Sequence, residues 1–481
     1  MTWPALVLWL LIVVGLFAPV QFMLYLYFAV EAFGGLSLLP PSVAGNVPVE
    51  TMCAAVLFAK VFFGRREFVS LLNYALDFRK LGLLAIFGLY IVVTAFLYPR
   101  IFAGSVKLYS LNAADNLSLL VPSAANLTQS IYMLVSIGLT FVFAYCGQNS
   151  AFRNSFLYAS FVGAVLLLAS GVVDMILGDM GRENWLQPFH NATYHLLDTV
   201  EIAGQKRVVG FMPEASLFGA ACCSSLSFLV FNRQCYSGWL RSFGVPVVAL
   251  GLLLMVYLST STSAYVGLAV LAIVFVLNAI LSMMSITYVT NAHAIKFVSF
   301  IGVSAVCVVV FASLSDGFLM HIRLLLDEVL FQKTSSFSYV ERNSWTQTGI
   351  AAFLTTDGIG VGVGSIRTSN WFINFAASTG VVGILLFGIF ALKMLLPPSS
   401  YPDKSSRQFA NGLKLALIPE FTVGLLMGTT PDPGGTLMLT LGLLFALRQM
   451  RNVTAVASAV ETKRIPYRPA ETPEGNGTPV T

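Results

Sequence analysis

The chain has 481 residues, of which 57% are hydrophobic and only 10% charged, against about 25% charged in a soluble domain. With a mean hydropathy of +0.81, this excludes an ordinary soluble protein and indicates a polytopic, all-α membrane helix bundle. The net charge is +5, but the basic residues are dispersed and form no stripe, so nucleic acid is excluded as a partner.

A helix needs about 20 apolar residues to cross the hydrocarbon of a bilayer. That window predicts spans at 5–28, 44–63, 81–98, 127–146, 154–178, 214–231, 243–258, 264–284, 297–313, 371–391, 409–428 and 435–448, about twelve crossings. The first run is too long for a signal-peptide core and lacks a basic leader. It reads as an uncleaved span bent at Pro19, with a hairpin over 5–39 as the alternative.

Arg65, Arg66, Arg79, Lys80, Arg153, Arg233, Arg241, Lys296, Lys393, Lys404, Arg407, Arg448 and Arg451 all fall in alternate loops on one side. Basic residues concentrate in cytoplasmic loops, so that side is the cytoplasm and both termini lie there. The opposite side carries the loops 99–126, 179–213 and 314–370, the last and largest between the ninth and tenth spans. Residues 1–450 read as a single integral membrane domain. The tail 451–481 is rich in Pro, Gly and Thr and reads as disordered and cytoplasmic.

The six cysteines, Cys53, Cys146, Cys222, Cys223, Cys235 and Cys307, form no CxxC, and His190, His195 and His321 have no metal-ligand spacing. No metal or cofactor is expected. The turn Leu258–Ala264 carries a run of hydroxyls that suits a tight turn with self-satisfied backbone, with hydroxyls facing a sugar as the alternative. Glu420 follows Pro419 inside a span, and an intramembrane carboxylate is a functional candidate by default. Its alternative is a carboxyl hydrogen-bonded within the bundle, because Pro419 frees backbone groups.

The chemistry concentrates in the two larger outer loops. In the second loop, Arg207 sits just outside the membrane on the side poor in arginine. A guanidinium there suits an anionic ligand, because it grips phosphate with two parallel N–H donors. Pro213 and Glu214 follow at a helix start, where both are favoured. The third loop supplies Arg323, Lys333, Glu341, Arg342 and Arg367. Arg342 and Trp345 are three apart and share a helical face. Gly358, Gly360, Gly362 and Gly364 precede Arg367 without a P-loop lysine. They allow a tight backbone path that exposes N–H groups to an anion.

Taken together, Arg342, Trp345, Gly360-Val361-Gly362-Val363-Gly364 and Gly380-Val381-Val382-Gly383, with the Arg207–Ser216 stretch, resemble the O-antigen polymerase and ligase superfamily. The stretch Arg207-Val-Val-Gly-Phe-Met-Pro-Glu-Ala-Ser is most similar to exopolysaccharide polymerases. Ligases of that superfamily carry a His-Asn pair where this chain has Ser369-Asn370, and an Arg in the turn that here reads Thr262-Ser263-Ala264. The polymerase branch is therefore favoured.

The resemblance implies a bacterial inner-membrane glycosyltransferase that needs neither metal nor nucleotide. It would move a growing glycan from undecaprenyl pyrophosphate to a lipid-linked repeat unit, with a flippase and a chain-length regulator as partners beside the bilayer. On that reading Arg207 and Arg342 hold the pyrophosphate, Glu214 is the leading base and Glu341 the second. Arg367, Arg323, Trp345 and Asn370 contact substrate. The rival readings are a ligase of the same superfamily and a lipid-linked oligosaccharide flippase.

Overall fold

The structure is a computed structural model that describes residues 1–40, 46–111, 113–192, 201–202, 205–284, 337–398 and 401–462. The expected ninth span at 297–313, together with Arg323, Lys333, His195 and His321, lies outside the described residues.

Among the described residues the architecture is an all-α polytopic bundle. Eight of its helices are long and apolar enough to cross a membrane. In chain order the helices are α1 (Trp3–Phe17), α2 (Val20–Val30), α3 (Val49–Phe62), α4 (Arg65–Leu76), α5 (Gly82–Ile101), α6 (Ala124–Cys146) and α7 (Ser150–Asp179). There follow α8 (Ala215–Asn232), α9 (Val245–Leu258), α10 (Thr262–Met284), α11 (Phe337–Thr355), α12 (Trp371–Leu395), α13 (Lys404–Met427) and α14 (Gly435–Thr462). The most extensive packing is α14 on α6, α13 on α8 and α10, α2 on α7, α9 on α8, α3 on α6, and α5 on α12. One continuous apolar core runs through these pairs, from Leu24 and Phe28 to Phe143, Phe156, Phe218 and Phe445.

Three features differ from the expectation. The first apolar run is two helices, not one span, because Pro19 has no N–H and breaks the run after Ala18. α1 and α2 fold back as a hairpin. Trp3 stacks edge-on against Phe189 at 5.3 Å, and Phe33 at the far end of α2 lies 6.0 Å from the same ring. The bend between them is held at the opposite end by Lys60, whose Nζ donates to the carbonyls of Gly15 (2.8 Å), Leu16 (2.8 Å) and Ala18 (2.7 Å). The start of the chain therefore sits beside the 183–189 turn, at the opposite end of the bundle from Arg448, whose Nη2 donates to Met394 O and Leu396 O. The start of the chain and the Arg448 turn of α14 do not share an end of the bundle.

The second difference is local sheet. β1 (Lys107–Ser110) pairs antiparallel with β2 (Ala113–Leu119) in the first outer loop, and Glu201–Ile202 pairs with Gln205–Lys206 in the second. The third is the C-terminal boundary. α14 continues to Thr462, past residue 450, and the first helix-breaking proline after Arg451 comes only at Pro466.

Candidate functional site

Arg207 lies on the extended stretch between the small second hairpin and α8. Its Nε donates to Ser259 O at 3.1 Å and to Thr260 Oγ1 at 2.9 Å, and its Nη2 to Thr260 O at 3.4 Å. The acceptors belong to the turn between α9 and α10, where Thr260 adopts a φ of 46°. The hydroxyl-rich turn thus does more than satisfy itself: it aims an arginine. Nη1 has no hydrogen-bond partner among the described residues.

Asp174, on α7, fixes the same stretch from the other side. Its Oδ2 accepts from Val209 N at 2.7 Å and Gly210 N at 2.9 Å, and the side chain is 3% exposed. Charge-assisted bonds of this kind are about twice as strong as neutral ones. Phe211 stacks on Phe189 at 4.3 Å, and Gly210 takes a φ of 61° where a Cβ would meet Ser170 and Phe218. Sequence reading passed over Asp174, although a carboxylate inside the apolar run Val172-Val173-Asp174-Met175 is the signal that would have found it.

α8 starts at Ala215 with Glu214 as its N-cap residue, and the Ser216 hydroxyl donates to Glu214 Oε1. Burial is the main cause holding the Arg207 guanidinium below its ordinary pKa. The Glu214 carboxylate opposes that shift, the Arg342 guanidinium adds to it, and Tyr265 opposes it weakly. Charges act in this way only at short range. Arg207 therefore feels both Glu214, seven residues on, and Arg342, from a distant segment of the chain.

Arg342 lies in the first turns of α11 with its neighbour Glu341. Both side chains are half-buried, and neither forms an ion pair with the other or with any described residue. Three residues on, Trp345 is buried and the Arg367 guanidinium lies over its ring at 4.4 Å. Arg367 N donates to Tyr109 O at 2.8 Å, and Tyr109 OH and Ser344 Oγ lie 3.0 Å apart. The β1–β2 hairpin, α11 and Arg367 thus form one packed unit a turn along α11 from Arg342. Asn370 caps α12, its side chain accepting from Ile373 N at 3.0 Å, so its carboxamide oxygen is spent on the helix end.

The glycine-spaced turn does not present an anion nest. Val361 N donates to Ala377 O at 2.8 Å, Gly362 N to Ser378 O at 3.1 Å and Gly360 N to Thr356 Oγ1 at 3.0 Å, while Val381 N returns to Gly358 O at 2.8 Å. α12 is broken at Gly380 (φ 66°, ψ −171°), and the buried turn supplies the partners that the broken helix lacks. Irregular backbone survives at membrane depth only when protein satisfies it in this way. Gly360, Gly362 and Gly364 have φ of 92°, 93° and 80°, and Cβ atoms there would strike the backbones of α12, α5 and α6 respectively. Asn126 Nδ2 closes the wedge by donating to Val363 O at 2.7 Å and Ser365 Oγ at 2.9 Å.

No family model matches this sequence, and no curated protein matches it.

A second polar region lies at the same end of the bundle. Glu420 and Asp432 line a cavity of about 170 Å³ with Trp371, Phe421 and Leu437. Glu50 accepts from Tyr27 OH at 3.0 Å, and Ser136 Oγ donates to Asp432 Oδ2 at 2.9 Å. Trp371 Nε1 donates to Asp432 O at 3.0 Å. Glu31, Glu50 and Glu420 act on one another electrostatically. Burial pushes the Asp432 carboxyl up to about 6; the Gly434 N–H and the Ser136 hydroxyl pull it back, and Glu50 adds to the rise. Of these acids only Glu420 stood out in the sequence. Glu31, Glu50 and Asp432 sit at the ends of apolar runs, where a carboxylate reads as an ordinary helix-end charge.

Proposed function

We propose that this protein is a glycosyltransferase of lipid-linked oligosaccharides, of the O-antigen polymerase type. It would sit in a bacterial inner membrane, cross it about twelve times, and turn Arg207 and Arg342 toward the periplasm. A sugar hydroxyl of the incoming lipid-linked repeat unit attacks the anomeric carbon of the growing glycan. The bond from that carbon to undecaprenyl pyrophosphate breaks, and the pyrophosphate leaves with the electron pair. Glu214 takes the hydroxyl proton, with Glu341 as the alternative base.

The observation that carries this reading is Arg207, anchored on the α9–α10 turn and within electrostatic reach of Glu214 and Arg342. Two guanidiniums from independent segments, one locked by carbonyls and one with no ion-pair partner among the described residues, suit a ligand bearing two linked phosphates. Donors already in place stabilise the charge that develops on the leaving group without reorganising. The packed unit of Trp345, Arg367 and Tyr109, one turn along α11 from Arg342, would line the path of the glycan. The partners of such an enzyme would be the lipid-linked substrates, a flippase and a chain-length regulator.

Product analysis in the producing cell tests this. Arg207→Ala and Arg342→Ala should abolish polymer and leave single repeat units on the carrier lipid. Normal polymer from both variants would remove the assignment, and long chains stranded on the carrier would mark a ligase instead. The flippase reading draws on the carboxylates around the Glu420 cavity. It requires movement of a lipid-linked oligosaccharide across liposomes, abolished in Glu420→Gln.

A further inference from the structure

α4 is the most amphipathic of the described helices. At 12 residues it spans about 18 Å, too short to cross the hydrocarbon, and it divides into three faces. Leu71 is buried, and Tyr74 packs edge-on against Phe445 at 5.3 Å while accepting from Gln148 Nε2 at 2.6 Å; this face holds the bundle. Arg66, Ser70 and Asn73, four and three apart, form a polar stripe. Phe68, Val69, Leu72 and Leu76 form the third, which is apolar and exposed, with Leu76 71% accessible.

The apolar stripe does not stand alone. Phe63, at the end of α3, is 82% exposed and Phe78, just past α4, is 61% exposed. The exposed residues Ile86, Leu89 and Val93 of the adjoining span α5 lead away from them. Four basic residues, Arg65, Arg66, Arg79 and Lys80, bracket the helix against two acids, Glu67 and Asp77. Lys80 pairs with Asp77 at 3.3 Å, and Lys393 Nζ ties the backbone at Arg79 O at 2.7 Å, fixing where the helix ends. An exposed apolar face beside a polar face, flanked by arginines and continuous with lipid-facing spans, has the make-up of a helix lying in a membrane interface.

We propose that α4 lies in the interface of the leaflet at this end of the bundle. Its Phe68–Val69–Leu72–Leu76 stripe sinks into the acyl boundary, and Arg65, Arg66, Arg79 and Lys80 hold anionic phospholipid headgroups. The inference does not depend on the catalytic reading, since it concerns the opposite end of the molecule from Arg207.

The test uses the full chain reconstituted in vesicles of phosphatidylcholine, alone or mixed with phosphatidylglycerol. Spin labels at Leu72→Cys and Asn73→Cys are compared with the unsubstituted protein, which corrects for native cysteines. Both positions are exposed, so neither change disturbs packing. The label at 72 should collide with oxygen in preference to a water-soluble nickel chelate, and the label at 73 should do the reverse. Chelate access at both would put the stripe in water, and shielding of 72 from both reagents would mean a second copy covers it; either result overturns the proposal. Spin-labelled phosphatidylglycerol should be held more tightly than spin-labelled phosphatidylcholine. Arg65→Gln and Arg66→Gln should each reduce that preference by about fivefold. An unchanged preference in the double variant would overturn the headgroup contact.

Discussion

Arg207 and Glu420 are both ionisable groups set into an apolar bundle, and they are held in opposite ways. Arg207 is fixed by unlike partners: carbonyls and a hydroxyl of the α9–α10 turn, with Asp174 clamping its backbone neighbours. The carboxylates of the second region, Glu31, Glu50, Glu420 and Asp432, gather among like charges and hydroxyls, with no basic group in salt-bridge reach among the described residues. A guanidinium with spare donors is ready for an anion. A cluster of buried acids is arranged instead to hold protons or hydroxyl-bearing ligands. Chemistry that expels a pyrophosphate belongs to the first arrangement.

The contrast requires that the arginine end be rigid, and its scaffold is the broken α12. Gly380→Ala places a side chain at φ 66° against Ile359 O. It should cost about 3 kcal/mol or more, read as a large fall in detergent melting temperature with loss of activity. A folded, active Gly380→Ala protein would show that the wedge is not needed. A smaller effect is expected at Asp174. Asp174→Asn keeps the shape but loses the charge on the acceptor for Val209 and Gly210, which costs about 2 kcal/mol. Activity should fall about thirtyfold while Glu420→Gln polymerises normally; equal losses in both would erase the distinction between the regions.

The smallest effect concerns pH. The folded state holds the Asp432 proton more tightly than the unfolded chain does, since burial raises its carboxyl to about 6 from an ordinary 3.8. The stabilisation this gives is complete below the ordinary value and is lost as pH rises through about 6. Asp432→Asn should flatten the fall of melting temperature over that window. An unchanged slope would mean that this carboxyl is solvated.

Much of this was legible in the sequence. The apolar windows located α5 to α10, α12 and α13 to within a few residues, and the start but not the end of α14, because a span must be apolar for its whole length. Arg207 and Arg342 stood out as charges near a boundary, and the three-residue spacing to Trp345 placed that pair on one helix. What stayed hidden depends on contacts between distant segments. Gly380 reads as an ordinary helical glycine until Val361 and Gly362 are found bonded across its break. Pro19 permitted either a bend or a hairpin, and only the contact of Trp3 with Phe189 decides between them. The acids of the second region come from separate elements, so no local pattern joins them.

The account rests on Arg207 and Arg342 gripping one diphosphate together. The direct measurement is the affinity of the purified protein for undecaprenyl pyrophosphate and undecaprenyl phosphate, in the wild type, Arg207→Ala, Arg342→Ala and the double variant. The account predicts tighter binding of the pyrophosphate, a loss of about thirtyfold or more in each single variant, and a double variant little worse than either, since both groups serve one ligand. Equal affinity for the two lipids, with losses that simply multiply in the double variant, would contradict it.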